Sequence, residues 1–313
     1  MHSWEAIQKT IDHIEEHIDE EIKTEELARI AALSVFYYQR LFARLIKAPV
    51  QEYIKLRRLA LAARWLREND ELILDVAIQY GFNNRETFAR SFKETYGITP
   101  AQYRDNPVAL HHFDKPDLLL SYVMVDEGVP LISEGMVLEM SRKTCPACAD
   151  FLGVAGHLPF QFGRMLGERP GPNRAGRVFE DFLSIKKDIP ALAGGRYMGV
   201  CYRGDAPDGH TTYFAGAEVE TGSHDKRFAS FRLPAREYVI CAFEAEGPTG
   251  LSGASDSFGA LVGKAMKYTR FWLKDKGLIA DGFFPEMYYP GRPGPAYMEI
   301  WVPFKERAVS SEP

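Results

Sequence analysis

Glu299 stands between Tyr297 and Trp301 in the stretch AYMEIWVPF, residues 296–304. As a strand, this stretch puts Met298, Ile300, Val302 and Phe304 on one face and Tyr297, Glu299 and Trp301 on the other. A carboxylate among aromatic rings is costly to bury unless a cation or hydrogen-bond donors meet it. Aromatic walls around one anion suit a bulky organic cation. The alternation fits an exposed face with a solvated Glu299 equally well. A second set of chemistry-bearing residues lies early in the chain. Phe36, Gln39, Arg40, Ala43, Arg44 and Lys47 share one helical face, and Arg85, Ala89 and Lys93 share another, with Glu86 and Arg90 beside them. Arg pairs with guanine O6 and N7, Gln with adenine N6 and N7, and Phe or Ala touches a thymine methyl. Each arginine also has a plainer reading, as a phosphate contact or a solvated charge.

Cys145 and Cys148 form a CxxC, whereas Cys201 and Cys241 stand alone. Zinc would want a second pair, and a thioredoxin-like site would want the motif to open a helix. A plain loop between strands is the expectation, with thiol sensing and metal binding as the lesser readings. Adjacent His111 and His112 have no partners at ligand spacing and read as linker polarity. GERPGPN, around Gly167 and Gly171, lacks the spacing of a phosphate cradle. No metal and no cofactor is expected.

The elements that position the early set repeat. Ile73, Val76, Ala77 and Tyr80 give one buried helical face, and Gly81 permits a tight turn. Asn83 or Asn84 caps the next helix, and Asn83 with Glu86 reads as a capping box. Phe88 and Phe92 point that helix at the core. This describes a helix-turn-helix, or else an ordinary helical hairpin with a charged face. Upstream, Ser34 caps VFYYQRLFARLIK. Leu27-Ala28 matches Val76-Ala77 at an offset of 49, and Tyr38, Arg40, Phe42 and Tyr53 match Phe88, Arg90, Phe92 and Tyr103 at an offset of 50. A helix over residues 50–68, with Tyr53, Leu56, Leu59, Ala60, Ala63 and Leu66 inward, separates the copies. Nineteen residues span about 28 Å. Successive major-groove faces of a duplex lie about 34 Å apart. Trp4, Ile7, Ile11, Ile14 and Ile18 add an amphipathic helix in front.

The 313 residues suggest two domains, and the net charge of −5 hides an asymmetry. Residues 27–104 carry thirteen Lys and Arg against seven Asp and Glu, and nucleic-acid affinity follows the local patch. No apolar run reaches membrane-span length, no signal sequence opens the chain, and four cysteines fit a reducing cytoplasm.

With LARIAALS, RLF, RRLALAARWL, VAIQYGF, FARSFK and YGITPAQYR in place, residues 3–104 resemble the DNA-binding domain of the AraC/XylS regulators. The resemblance implies seven helices, with one recognition helix in each of two adjacent major grooves. Carried over by position, it implies DNA contacts by Phe36, Gln39, Arg40 and Arg44, and by Arg85, Glu86, Ala89 and Arg90. It also implies RNA polymerase as a protein partner. Tyr38 departs from the family's usual leucine, so the first recognition helix is expected to dock slightly differently.

After Arg104 the polar stretch DNPVALHHFDKPD reads as a linker, residues 107–116. The expected domains are 1–106 and 117–307, with a disordered tail at 308–313. Beyond the linker, strand-like runs such as LLLSYVMV, MVLEMSRK, RYMGVCYR, TTYFAGAEVE and REYVICAFEAEG alternate with two helical patterns, AGRVFEDFLSIKK and DSFGALVGKAMKYTRFWLKDKG. The expected fold is an all-α N-terminal domain followed by an α+β domain. In the latter, two strand-helix-strand-strand halves surround an antiparallel sheet. MEIWVPF, PEMYY and GVCYR resemble the GyrI-like effector-binding domain. That resemblance implies a concave sheet for hydrophobic, often cationic, small molecules, with Glu299 facing the pocket. It adds Tyr288 as the family's strand tyrosine, and Trp301, Tyr297 and Trp272 as further candidates. The segment CPACADFLGVAGHLPFQFGRMLGERPGPN departs from the family and reads as long and irregular. The expected function is ligand-responsive transcription regulation. The rivals are a GyrI-like hydrolase working through Glu299 and Tyr288, and a protein that only sequesters ligand.

Overall fold

The computed structural model describes residues 2–159, 170–245, 256–292 and 296–306. The expected tail lies outside them. The chain divides into two compact units, one holding residues up to Tyr122 with the strip around Gly171, the other running from Val123 onward.

The first unit is helical: α1 (Ser3–Glu16), α2 (Thr24–Ile30), α3 (Val35–Ile46), α4 (Val50–Glu68), α5 (Ile73–Gln79), α6 (Arg85–Tyr96), α7 (Pro100–Asp105) and a single turn, α8 (Leu119–Tyr122). Two apolar clusters hold it. Ile7, Ile11 and Ile14 of α1 meet Leu27, Tyr38 and Phe42, and the first half of α4 joins them through Tyr53 and Ile54. The second half of α4 enters the other cluster through Leu59, Ala62, Ala63 and Leu66, beside Val76, Phe88, Phe92 and Tyr103. Because α4 serves two cores, it is buried on more than the single stripe that periodicity suggests. Leu56 is only half-buried, while Ile54, Arg57 and Ala62 are buried. Buried Arg57 is answered bidentately by Glu15 at 2.8 and 2.7 Å and donates to the Phe113 carbonyl at 2.7 Å. That arrangement satisfies a charge that would otherwise be expensive in a core.

The caps follow side-chain chemistry. Ser34 accepts from Tyr37 N, and Asn84 from Thr87 N at 2.8 Å. The capping box expected of Asn83 and Glu86 does not form, because with Asn84 as the cap the third helical position is Thr87. Asn84→Ala is expected to cost about 1 kcal/mol, read as a lowered midpoint in urea unfolding of the full chain. The two turns also match. Ala32 and Gly81 both take positive φ, at 54° and 71°.

Residues 107–116 are not a free linker. Leu110 joins the second cluster, Phe113 packs on the first, and Leu110–His111 pairs with Gly171–Pro172. His112 is buried and shares a 2.9 Å hydrogen bond with the Tyr96 hydroxyl, so it is a core group, not linker polarity. The expected strand LLLSYVMV is instead the turn α8, with Leu118 packed against the first cluster.

The second unit contains β1 (Leu131–Ser133), β2 (Met136–Thr144), β3 (Ala149–Pro159), α9 (Arg174–Ile185), β4 (Leu192–Tyr202), β5 (His210–Val219), β6 (Ala229–Leu233), β7 (Glu237–Ala245), α10 (Asp256–Asp275), β8 (Leu278–Ala280), β9 (Phe284–Tyr288) and β10 (Ala296–Glu306). The two halves are β3-α9-β4-β5 and β7-α10-β9-β10. The sheet order is β1-β2-β7-β10-β9-β4-β5-β3-β6, with β8 beside the far end of β10 and every pairing antiparallel. Part of the segment expected to be irregular, ADFLGVAGHLP, is the eleven-residue strand β3.

Register separates the two sheet faces. Glu286, Tyr288, Met298, Ile300 and Cys241 share one face. There α9 sets Phe179 against Tyr288 and Phe182 edge-on to Tyr197, and α10 brings Thr269 to the Cys241 thiol. Met287, Glu299, Trp301 and Ile240 share the other face. On that side Trp301 and Ile240 pack with Phe151, Phe214 and Leu233, which come from the opposite end of the strand order. The sheet therefore curls around this face.

Candidate functional site

In the first unit, α3 exposes Phe36, Gln39, Arg40 and Arg44; α6 exposes Arg85, Glu86 and Arg90 and half-buries Ala89. The inward faces of these helices are Tyr38, Phe42 and Ile46, and Phe88, Phe92 and Tyr96. Helical periodicity then obliges the polar set to point out. Phe36 is 69% exposed, which an ordinary surface would not favour, and the Arg40 guanidinium lies 5.6 Å from its ring centre. That contact holds Arg40 extended away from the core. Arg44, Arg85 and Arg90 hold no ion pair among the described residues. Tyr38, where the family resemblance leads one to expect leucine, is fully buried and its hydroxyl bonds to Thr10 Oγ1 at 3.2 Å. The larger residue is thus absorbed by α1, behind the exposed face.

Arg58 of α4 ties the loop between α1 and α2 to the turn of the second helix-turn-helix. It donates to the carbonyls of Ile18 at 2.8 Å, Glu20 at 2.6 Å and Gly81 at 3.3 Å. A Cβ on Gly81 would lie 2.5 Å from the Arg58 guanidinium, so that turn needs glycine for space as well as for φ.

The second unit carries two inward carboxylates, and they differ. Glu299 is 9% exposed and already surrounded by donors. The Tyr297 hydroxyl donates to Oε1 at 2.5 Å, while Trp301 Nε1, at 2.7 Å, and the Tyr289 hydroxyl both donate to Oε2. These three donors satisfy the burial cost without any external cation. Around them, Arg292 stacks 3.6 Å from the Tyr297 ring centre and pairs with Glu244, and Lys143 lies 4.9 Å from the Trp301 ring centre. Trp301 itself is a member of the apolar cluster.

Glu286 lies on the opposite, helix-covered face. Tyr288 donates to its Oε2 at 2.8 Å and Tyr213 to the same oxygen at 3.3 Å. No described residue donates to Oε1. Burial pushes the carboxyl up to about 7, against the two phenols, which hold it down. The side chain nevertheless keeps part of its surface open to solvent. Gly199 faces it across the strand pairing, and a Cβ there would lie 2.3 Å from the Tyr213 hydroxyl and 2.9 Å from Glu286 Oε2. The absent side chain is what makes room for this group.

The structure thus brings Tyr297, Glu299 and Trp301 together and does not bring Tyr288 or Trp272 to them. Tyr288 belongs with Glu286. Trp272 is buried on α10 with its Nε1 on the Val125 carbonyl at 2.9 Å. Glu286 and Tyr213 escaped the sequence reading, although the signal was present. PEMYY alternates a carboxylate with an aromatic just as YMEIW does. Among the described residues no group of acidic, His and Cys side chains is arranged to hold a metal ion, and no helix is long and apolar enough to cross a membrane.

Comparison with known proteins matches residues 27–106 to a helix-turn-helix domain family and residues 164–305 to a GyrI-like small-molecule binding domain family. The chain is similar to the uncharacterised helix-turn-helix transcriptional regulator YbfP of Bacillus subtilis, 40% identical over 33% of this chain and 35% of that protein. It thus spans about a third of that relative's length. The regulatory protein SoxS of Salmonella typhimurium is 36% identical over 33% of this chain and 97% of its own length. A solved AraC-type regulator from Chromobacterium violaceum is 22% identical over 34% of this chain and 96% of its own, with a TM-score of 0.32. With one relative matched almost end to end, the chain belongs to the AraC-type helix-turn-helix transcription regulators, and it carries behind that domain a GyrI-like small-molecule binding domain.

Proposed function

We propose that the chain reads two adjacent major grooves of one duplex with α3 and α6, and that an organic cation received at Glu286 shifts the population of DNA-competent protein. The observation carrying the first part is the shared rod. Each half of α4 is built into the core behind one recognition helix, so the two helices move as one body. Phe36, Gln39, Arg40 and Arg44 serve the first groove; Arg85, Glu86, Ala89 and Arg90 serve the second. RNA polymerase is the partner that a DNA-bound regulator of this family would engage.

For the second part, Glu286 is favoured over Glu299 because a ligand needs a carboxylate with an open oxygen. Glu299, with Tyr297 and Trp301 donating to it, serves as the satisfied polar frame of the curled face. Tyr288 and Tyr213 orient Glu286, and Phe179 of α9 supplies an aromatic neighbour. Trp272 backs α10 and takes no direct part.

Linkage supplies the test. A ligand changes DNA affinity only if it binds the two states unequally, and the effect is reciprocal. Titrating a fluorescent lipophilic cation into protein with and without bound duplex is expected to give two dissociation constants about 5- to 100-fold apart. Equal constants would leave the two domains uncoupled.

A further inference from the structure

The second unit closes its sheet through two short straps. One is Cys145-Pro-Ala-Cys148, the whole connection from β2 to β3; the other is Pro234-Ala-Arg236, the return from β6 to β7. β2 pairs with β7 and β3 with β6, so each strap crosses from one end of the strand order to the other. The straps lie side by side, with Cys145 N donating to the Arg236 carbonyl at 2.8 Å. The chain bends at Ala147, and the Cys145 thiol folds back along the bend to donate to the Ala147 carbonyl at 3.3 Å. That carbonyl carbon is bonded to the nitrogen of Cys148. The thiol therefore already points toward its partner's end of the strap.

Both cysteines keep solvent-accessible surface, whereas Cys241 is buried. Burial pushes the Cys241 thiol up to about 12 and raises that of Cys201 as well, so neither competes as a nucleophile. The second strap is pinned in turn by the Tyr238 hydroxyl, which donates to the Pro234 carbonyl at 2.7 Å.

We propose that Cys145 and Cys148 are a redox site, a dithiol that closes to a disulfide across the strap in exchange with a low-molecular-weight disulfide such as oxidised glutathione. One thiolate attacks a glutathione sulfur, forming a mixed disulfide and expelling one glutathione thiolate. The second strap thiolate then attacks the protein sulfur of that mixed disulfide and expels the second glutathione. Two protein thiols are oxidised, one glutathione disulfide is reduced to two glutathiones, and the two thiol protons pass to the leaving thiolates. No helix begins at the motif, which distinguishes it from an oxidoreductase site; it acts on its own fold. Closure stiffens the corner where Cys145 packs against the apolar cluster that contains Tyr238 and Trp301.

The test equilibrates the full chain in glutathione buffers of graded ratio, quenches with an alkylating agent, and reads intact mass and peptide maps. The expected result is one reversible loss of two alkylation sites, mapped to Cys145–Cys148, with no glutathione retained. Cys148→Ser should instead trap glutathione on Cys145. Oxidised wild type should also unfold at a higher temperature than the Cys145→Ser, Cys148→Ser double variant under the same conditions. Both sites staying alkylatable at every ratio would overturn the proposal, as would glutathione retained on the wild type or a bridge mapped to Cys201 or Cys241.

Discussion

Arg40→Ala combined with Arg90→Ala is expected to weaken binding to a specific duplex by about 2 to 6 kcal/mol, each arginine contributing about 1 to 3. The two residues sit at equivalent positions of the two recognition helices, on different apolar clusters, and share no partner. Their effects should therefore add. Fluorescence anisotropy across a salt series separates the two ways an arginine acts. Loss of a base contact relaxes sequence preference at one position and leaves the salt slope nearly unchanged. Loss of a phosphate contact weakens all sequences alike and lowers the slope by about one per residue. Because both side chains are exposed, the fold should survive, and an unchanged urea midpoint is the control. An unchanged affinity would remove α3 and α6 from the interface.

The second large effect concerns Glu286. Its carboxyl titrates near 7 in the folded chain, against 4.5 ordinarily, because burial disfavours the anion. In the free protein between those values the folded state holds a proton that the unfolded state lacks. The carboxyl therefore causes no loss of stability below pH 4.5; the cost grows as pH rises through 7 and is complete above it. Glu286→Gln should thus be more stable than wild type at pH 8, by up to about 3 kcal/mol, and indistinguishable at pH 4.5. Thermal unfolding at the two pH values checks this. A cation reverses the balance, since it binds the ionised form. Affinity for a lipophilic cation should rise about tenfold per pH unit up to pH 7, level off above it, and be accompanied by proton release below it. Glu286→Gln should lose both the affinity and the pH dependence. Glu299→Gln should leave that pH dependence in place, although it breaks a donor set made by Tyr289, Tyr297 and Trp301. If the two variants behaved in the opposite way, the effector carboxylate would be Glu299.

Much of this was legible in local chemistry. Periodicity places α1, the repeat places α3 and α6, and Ser34 announces its own cap. The errors share a physical cause, which is that a residue's neighbours across the fold are invisible in sequence. Helix α4 reads as one-sided because a single stripe is what one core demands; the second core explains buried Ala62, and the Glu15 carboxylate of α1 explains buried Arg57. ADFLGVAGHLP does not alternate, because β3, flanked by β5 and β6, is buried on both faces over Phe151–Gly153. LLLSYVMV is apolar enough for a strand, yet Leu118 anchors on the helical unit and Leu120 is buried in the single turn α8. Family resemblance groups Tyr288 and Glu299 in one pocket, whereas the β9–β10 register pairs Tyr288 with Met298 and Met287 with Glu299, placing them on opposite faces. A pairing register between strands is a long-range property that alternation within each strand leaves open.

If α3 and α6 both enter grooves while fixed to one rod, a single chain must read two sites at one spacing. Selecting bound sequences from a pool of random duplexes tests it most directly. The expected result is enrichment of two short motifs whose centres lie about 10 to 11 base pairs apart, with the spacing held tightly. A single motif, or two motifs at freely varying separation, would contradict it.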